Sequence, residues 1–500
     1  MIDGVRERIG LVLGRGLVLG TLAERLARLH GDGRMVTEHE TGRTLTFVDA
    51  ADLVDRWAGA LAAAVPPGGR VVLATPNGYD QLLLCLAVSR AGAVAVPVNS
   101  QMRQDEIDHV VADSAADLVV RSADELSGAE PLGRAADATP DAVAALFYTS
   151  GTTGKPKGVE LTHVSLVGSL GAVAAVPTGL RRDEAVFGLP IAHIMGFTVT
   201  LGLAVAGIPA SFLQKFNPVT ALDVIEQQRA TIFCGVPAMY RMLLEAGAEE
   251  RDLSSVRLWL SGADAMPSEL VATFKRLGAT ATLPLFGAVG QASFAEGYGM
   301  VETGGGVAVK VSPPFITLGG GESVGRALPG NKFRVVDEHG RKLGAGQVGE
   351  LQVKGRGVLR GYHGSPEATA GVLTDDGWLR TGDLARMGFG GTVMFVGRHK
   401  DVIKHGGYSV YAVEVEQALE GHPDVVEASV IAIQDPKKGE MPAAVVRLRP
   451  GADLATLDLG SWAGERLSKY KVPQRFVAVD ELPRSGTDKV QKESLRDLFG

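Results

Sequence analysis

The chain has 500 residues, of which 45% are hydrophobic and 21% charged, and its net charge is −7. That is enough for a large core and more than one domain, in the proportions of a soluble globular protein. The charge is spread without a basic block, which argues against a nucleic-acid footprint, and Cys85 and Cys234 lie in apolar surroundings that suit buried thiols in a reducing cytoplasm, not a disulfide or metal pair.

Near the start, Arg15 interrupts the apolar run after Leu11, leaving it too short for a signal core. Val71 to Ala74 predicts a strand ending at Pro76-Asn77-Gly78. Asp80 to Arg90 has helical spacing, and Ala93 to Val98 is a strand again. Ala144 to Tyr148 reads as a buried strand feeding a loop of hydroxyls, glycines and lysines: Thr149, Ser150, Gly151, Thr152, Thr153, Gly154, Lys155, Pro156, Lys157 and Gly158. Glycines let backbone N–H groups converge, hydroxyls add donors and the lysines add charge, which makes a nest for a polyphosphate. The common phosphate loop is excluded, because Thr149 replaces its first glycine and Pro156 follows the lysine. A plain Ser/Thr/Gly linker has similar composition. The regular element restarting at Leu161 to Val164 favours phosphate binding, in an expected order of strand, glycine loop and helix.

Ala185 to Gln214 contains no Asp, Glu, Lys or Arg, and Gly196 to Leu213 approaches membrane-span length. Gly202, Gly207 and Pro209 divide it into a helix and a strand, and peripheral membrane contact is left open. Ala221 to Arg229, Thr231 to Cys234 and Pro237 to Leu244 continue a β-α alternation that implies largely parallel sheets covered by helices. From Gly349 the texture turns to half-buried strands, Glu350 to Val353 and Thr392 to Val396. The segment from Asp401 has the size of a small domain.

Six further motifs follow the loop: Leu189 to Phe197, Ser261 to Asp264, Gly297 to Glu302, Trp378 to Leu384, Gly397 to Tyr408, and Pro483 to Lys489. Together, in this order, they resemble the adenylate-forming superfamily, in its acyl-CoA synthetase and fatty-acid–CoA ligase branch. The resemblance implies an α/β fold: a large N-terminal domain of mixed α/β sheets with a small β-rich subdomain, residues 1–397, a hinge at 398–400, and a small mobile C-terminal α+β domain, residues 401–500. It implies that Thr149 to Gly154 and Lys157 hold ATP phosphates. Gly262, Ala263, Asp264 and Tyr298 would form the adenine site, with Gly299 and Met300 also binding ATP or AMP and Met300 lining the acid pocket as well; Asp383 and Arg398 would bind ribose, and Glu302 would hold Mg²⁺. Lys489 would offset charge as a carboxylate attacks the α-phosphate, Lys400 would be the pivot, and Lys404, Gly406 and Gly407 would line the thiol tunnel. His193 would gate the acid pocket and, neutral or cationic, help hold the carboxylate; Val236, Met239 and Gly304 would line it.

The implied reaction is ATP-dependent formation of acyl-AMP and transfer to CoA. A fatty or other apolar acid is the leading substrate, with aryl acids as an alternative. The segment after His193 carries no Asp for an α-ammonium, and Gly297 stands where malonate-type relatives use Arg. No carrier domain is expected after Gly500 and no acyl-AMP-ligase insertion is evident, so CoA is the expected acceptor; the oligomeric state is not set by the sequence. Val301, where the family has a hydroxyl that touches phosphate, Ala412 for proline and Asp488 for glycine depart from the pattern, and Gly278 to Ala295 is longer than usual. Thr303 is a candidate to compensate for Val301. These departures feed a second reading, a nucleotide-binding relative without turnover. An oxygenase of the luciferase type is a third.

Overall fold

The computed structural model describes the chain except residues 1–6, 9, 11–16, 100–101, 150–155, 169, 171–181, 284–286, 316–322, 407, 436–438 and 485–489. It divides into two compact units, one of residues 1–319, 325–332 and 354–379, the other of 320–324, 333–353 and 380–500. Packing therefore groups the strands Val348–Lys354 and Val393–Arg398 mainly with the C-terminal segment, whereas the sequence expectation put the division at 398–400.

In the first unit, the strands Ala210–Phe212, Ala185–Phe187, Ile232–Gly235, Leu258–Gly262 and Ser293–Met300 lie side by side in that order, all parallel. The first four are short and mostly apolar, as strands covered on both faces are, whereas Ser293–Met300 is longer and carries Glu296. Helices supply the cover. Ile194–Ala206 is the expected helix within the uncharged stretch, ended by Gly207 at φ +69°, and the strand Ala210–Phe212 follows. No helix among the described residues is long and apolar enough to cross a membrane. Pro237–Glu245 is pinned by aromatic edges: Tyr240 packs on Phe233, Trp259 and Phe274 with centroids 5.4, 6.1 and 4.8 Å away, and its hydroxyl donates to Leu260 O at 2.9 Å. Each such pair is worth about 1 kcal/mol beyond its buried area. The long stretch after Gly278 is partly explained by an extra antiparallel pair, Ala281–Leu283 with Gly287–Val289.

A second sheet carries the glycine loop. Leu118–Val120, Arg70–Leu73, Val94–Pro97 and Val143–Thr149 run parallel, and Lys157–Thr162 then pairs antiparallel with Val143–Thr149. The expected strand–loop–helix order is thus corrected. The loop joins the two strands of a hairpin, with Thr149 opposite Lys157, and the helix His163–Val167 begins only after the second strand. The alternation Val159, Glu160, Leu161 suits a strand with one buried face.

The second unit holds the strands Lys332–Val336, Val348–Lys354, Leu379–Met387 and Val393–Arg398 for most of their length. It also holds a C-terminal sheet in which Val402–His405 pairs with Tyr408–Tyr411 and Val425–Asp435 with Gly439–Leu448. Ala412 opens the helix Ala412–Glu420 and is buried, so alanine serves as first helical residue where relatives have proline. Glu414 and Glu416 on that helix pair with Lys471 and Lys492 at 2.6 Å each.

His163 ties the N-terminal segment to the hairpin: its Nδ1 accepts the Leu19 N–H at 3.1 Å, and burial pushes its pKa down to about 4 from 6.5. The unfolded chain binds this proton at the ordinary value, so the stabilisation is complete above pH 6.5 and is lost as the pH falls through about 4. Substituting His163→Gln keeps an acceptor that does not titrate. Denaturant titrations between about pH 6 and 4.5 should give the variant a shallower loss of stability, by about 1 kcal/mol per pH unit. Equal slopes would remove His163 as the titrating group.

Candidate active site

The motifs converge because the parallel strands all point the same way. Leu189 to His193 follows the carboxyl end of Ala185–Phe187, and Val236 follows that of Ile232–Gly235. Gly262 and Ala263 close Leu258–Gly262, and Gly297 to Met300 finish Ser293–Met300. In register, Gly235 lies opposite Ser261 and Gly262 opposite Gly297. The carboxyl edge of parallel strands is where α/β folds bind ligands. A cleft of about 480 Å³, lined by Arg34, Glu184, Pro209 and Arg229 among others, opens at the amino ends of the same strands and gathers none of the motif residues.

Gly262 faces Met195, whose Sδ and Cε would lie 3.3 Å from a Cβ placed there, so a larger residue would crowd the wall. Ala263 adopts φ +70°, a left-handed conformation that costs a non-glycine residue about 1 kcal/mol and that clusters at ligand sites. Asp264 is exposed and accepts the Ala265 N–H at 2.8 Å. Met239 is buried, with Val236, Met195 and Met300 packed against the same apolar core, which gives the expected acid pocket an apolar side.

His193 caps the helix Ile194–Ala206, its Nδ1 accepting the Met195 N–H at 3.3 Å. A ring that accepts at Nδ1 carries its proton at Nε2, and a helix N-terminus disfavours a cation.

The turn after Met300 is closed tightly. Gly299 leaves no room for a side chain, since a Cβ would meet Gly305 O at 2.0 Å. Gly304, at φ +62°, would put one 2.6 Å from Ser165 O, so this residue is a backbone hinge of the turn more than a pocket wall. Thr303 is fully engaged: its hydroxyl accepts the Met300 N–H at 3.0 Å, and its one hydrogen points between Met300 O at 2.9 Å and Gly305 O at 2.7 Å. It is buried and cannot replace the hydroxyl missing at Val301, whose side chain packs on the main core.

Glu302 is 9% exposed, and the Tyr362 hydroxyl donates to its Oε1 at 3.0 Å. No ion pair is recorded for it among the described residues. Burial, aided by the Glu302 charge, holds the Tyr362 hydroxyl firmly protonated. The same ring carries Lys157, with Nζ 5.5 Å from the centroid. Tyr362 escaped the sequence reading; its signal, an aromatic after Gly361 in an otherwise polar stretch, is too common to stand out. The described residues contain no cluster of three or more His, Cys, Asp or Glu that could hold a metal.

In the second unit, Asp383 and Arg398 lie opposite each other on adjacent antiparallel strands, with Nε to Oδ1 at 3.2 Å. The carboxylate is buried and the guanidinium half-exposed. Thr381, donating to Leu351 O at 2.8 Å and accepting from Asp383 N at 3.1 Å, fixes the bend before it. Lys400 is exposed in the single turn His399–Asp401. Lys404 Nζ donates to Ser409 Oγ at 2.8 Å, and Gly406, at φ +57°, turns the hairpin between His405 and Tyr408. Ser150, Gly151, Thr152, Thr153, Gly154, Gly407 and Lys489 lie outside the described residues. Replacing Thr303 by Val keeps its shape and removes the donated and the accepted hydrogen bond of its hydroxyl from the Glu302 turn. Denaturant unfolding should lose about 1–3 kcal/mol, and an unchanged midpoint would refute the role assigned to the hydroxyl.

The AMP-binding enzyme family matches residues 23–363, and the AMP-binding enzyme C-terminal domain matches residues 414–489. Feruloyl-CoA synthase of Amycolatopsis sp is 35% identical, across 96% of this chain and 99% of that protein. The fatty acid–[acyl-carrier-protein] ligase ScoC of Streptomyces coeruleorubidus is 32% identical, across 92% of each. The structure of O-succinylbenzoate coenzyme A synthetase (MenE) from Bacillus subtilis, in complex with ATP and magnesium ion, superposes with a TM-score of 0.81 at 26% identity, covering 95% of this chain and 99% of that one. With the family matched over well more than half of its length, this chain belongs to the AMP-binding enzyme family, as an AMP-forming acid–thiol ligase.

Proposed function

We propose that the protein activates an apolar monocarboxylic acid, a fatty acid in the leading reading, as acyl-AMP and transfers the acyl group to CoA. The buried Glu302 carboxylate carries this reading. Held by a neutral hydroxyl beside Lys157, it is the arrangement a magnesium-bound polyphosphate needs. ATP, Mg²⁺ and CoA are the cofactors of this class of ligase. When bound, Mg²⁺ neutralises negative charge on the pyrophosphate portion of ATP.

A carboxylate is a poor acyl donor because its oxygen leaves badly. In the first step a carboxylate oxygen attacks the α-phosphorus, an O–P bond forms, and the bond to pyrophosphate breaks. Thr149, Ser150, Thr152, Thr153 and Lys157 are assigned to the phosphates, and Lys489 to the charge that develops at the α-phosphate. The adenine is assigned to Gly262, Ala263, Asp264 and Tyr298, the nucleotide more generally to Gly299 and Met300, and the ribose to Asp383 and Arg398. In the second step the thiol attacks the acyl carbon and AMP leaves, with Lys404, Gly406 and Gly407 along the thiol path. Residues 401–500 are read as turning about Lys400 between the steps.

The apolar flank of Val236 and Met239 supports an apolar acid. An aryl acid is the second reading, favoured by the 35% identity to a feruloyl-CoA synthase. Pyrophosphate release with Mg·ATP and CoA, measured against a ladder of fatty acids, benzoate and ferulate, separates them. A chain-length optimum supports the first reading, a preference for ferulate the second, and silence with ATP still bound the reading without turnover. Substituting Lys489→Ala should slow acyl-AMP formation by about 100-fold or more while ATP still binds. Adenylation at the wild-type rate would sink its assignment.

A further inference from the structure

Tyr362 contacts two groups that the preceding reading assigns to the polyphosphate and its metal. Its hydroxyl donates to Glu302 Oε1 at 3.0 Å, and Lys157 Nζ stands 5.5 Å from its ring centroid. Backbone pairing places it there. Gly361–Tyr362 is a two-residue strand antiparallel to Lys157–Thr162, with Tyr362 opposite Val159, and the Leu359 N–H donates to Glu302 O at 2.8 Å. The segment is therefore fastened both to the strand that carries Lys157 and to the turn that carries Glu302.

Opposite charges that share one aromatic neighbour attract each other, and with Glu302 buried and Lys157 half-buried a direct pair would be screened less than one in open water. Such a pair would spend the carboxylate on the ammonium. A neutral hydroxyl satisfies one carboxylate oxygen without cancelling its charge, and the face of the ring attracts the ammonium without neutralising it. We propose that Tyr362 is a positioning residue that keeps Glu302 and Lys157 from pairing, leaving the carboxylate open to Mg²⁺ and the ammonium open to phosphate. The inference rests on the site reading given under Proposed function.

Calorimetric titration of ATP into the full-length protein, once with Mg²⁺ and once with EDTA, tests it without turnover. Y362F keeps the ring beside Lys157 and removes the hydroxyl; E302Q and the double variant Y362F/E302Q complete a cycle, with thermal melts to confirm folding. In Y362F the gain in ATP affinity brought by Mg²⁺ should fall about 10-fold, and affinity in EDTA should fall by a smaller factor, because a Glu302–Lys157 pair would also draw the ammonium away from phosphate. The double variant should bind Mg·ATP no worse than E302Q alone, because the tyrosine acts through the glutamate. A wild-type magnesium response in Y362F, an equal loss in EDTA, or additive losses in the double variant would each overturn the proposal. Wild-type protein whose ATP affinity ignores Mg²⁺ would overturn the site reading and the inference together, whereas a normal response in both wild type and Y362F would overturn the inference alone.

Discussion

A buried carboxylate without a cationic partner is costly, and among the described residues Glu302, at the end of a closed turn, has none. Much of the first unit's arrangement around the site serves to hold that side chain. Gly299 and Gly304 allow backbone to approach backbone where no side chain fits, and Thr303 spends its hydroxyl on the turn itself. Leu359 takes the carbonyl of Glu302, and Tyr362 takes one carboxylate oxygen. If the carboxylate holds a cation as proposed, the site is organised before its ligand arrives, which lowers the ordering cost at the moment of binding.

The parallel sheet makes this possible. Its strands are short, so their carboxyl ends form a compact edge, and four stretches far apart in sequence reach it: His193, Val236, Gly262 to Asp264, and Tyr298 to Glu302. The aromatic packing of Tyr240, Trp259, Phe233 and Phe274 fixes the helix that carries Met239 to the strands beneath. Rigidity in that layer matters, because a flat base or an acyl chain is discriminated by small differences in wall position. The left-handed Ala263 fits this account: the strain is local, at the wall, and is held by the strands on either side.

Much of this was legible in the sequence, because apolar runs of strand length alternating with helical spacing leave few alternatives to a parallel α/β fold. The helix and strand within the uncharged stretch were readable from Gly207 and Pro209. Three features were not. Lys157 to Thr162 was passed over as a strand, because the glycine loop before it suggested a helix start; the alternation of Val159, Glu160 and Leu161 held the contrary signal. Tyr362 was invisible because its importance comes from a strand pairing between segments about 200 residues apart, which no local pattern encodes. Thr303 was misjudged because adjacency in sequence says nothing about which way a hydroxyl points in a tight turn.

The departures from the family pattern can be weighed by what each side chain does. Ala412 starts its helix and stays buried, so the loss of proline removes stiffness but no chemical group. Val301 is the more serious change. Its side chain packs on the core and Thr303 is occupied, so the first unit supplies no substitute hydroxyl from either position. A phosphate contact of that kind contributes binding, whereas the groups proposed to meet developing charge, Glu302, Lys157 and Lys489, are present in the sequence. Losing a neutral donor while keeping the charged ones predicts weaker ATP binding more than lost chemistry, since interactions with charge that develops in the transition state govern the rate. The balance of residues therefore favours an active ligase with a relaxed hold on ATP over a relative that binds nucleotide without turnover.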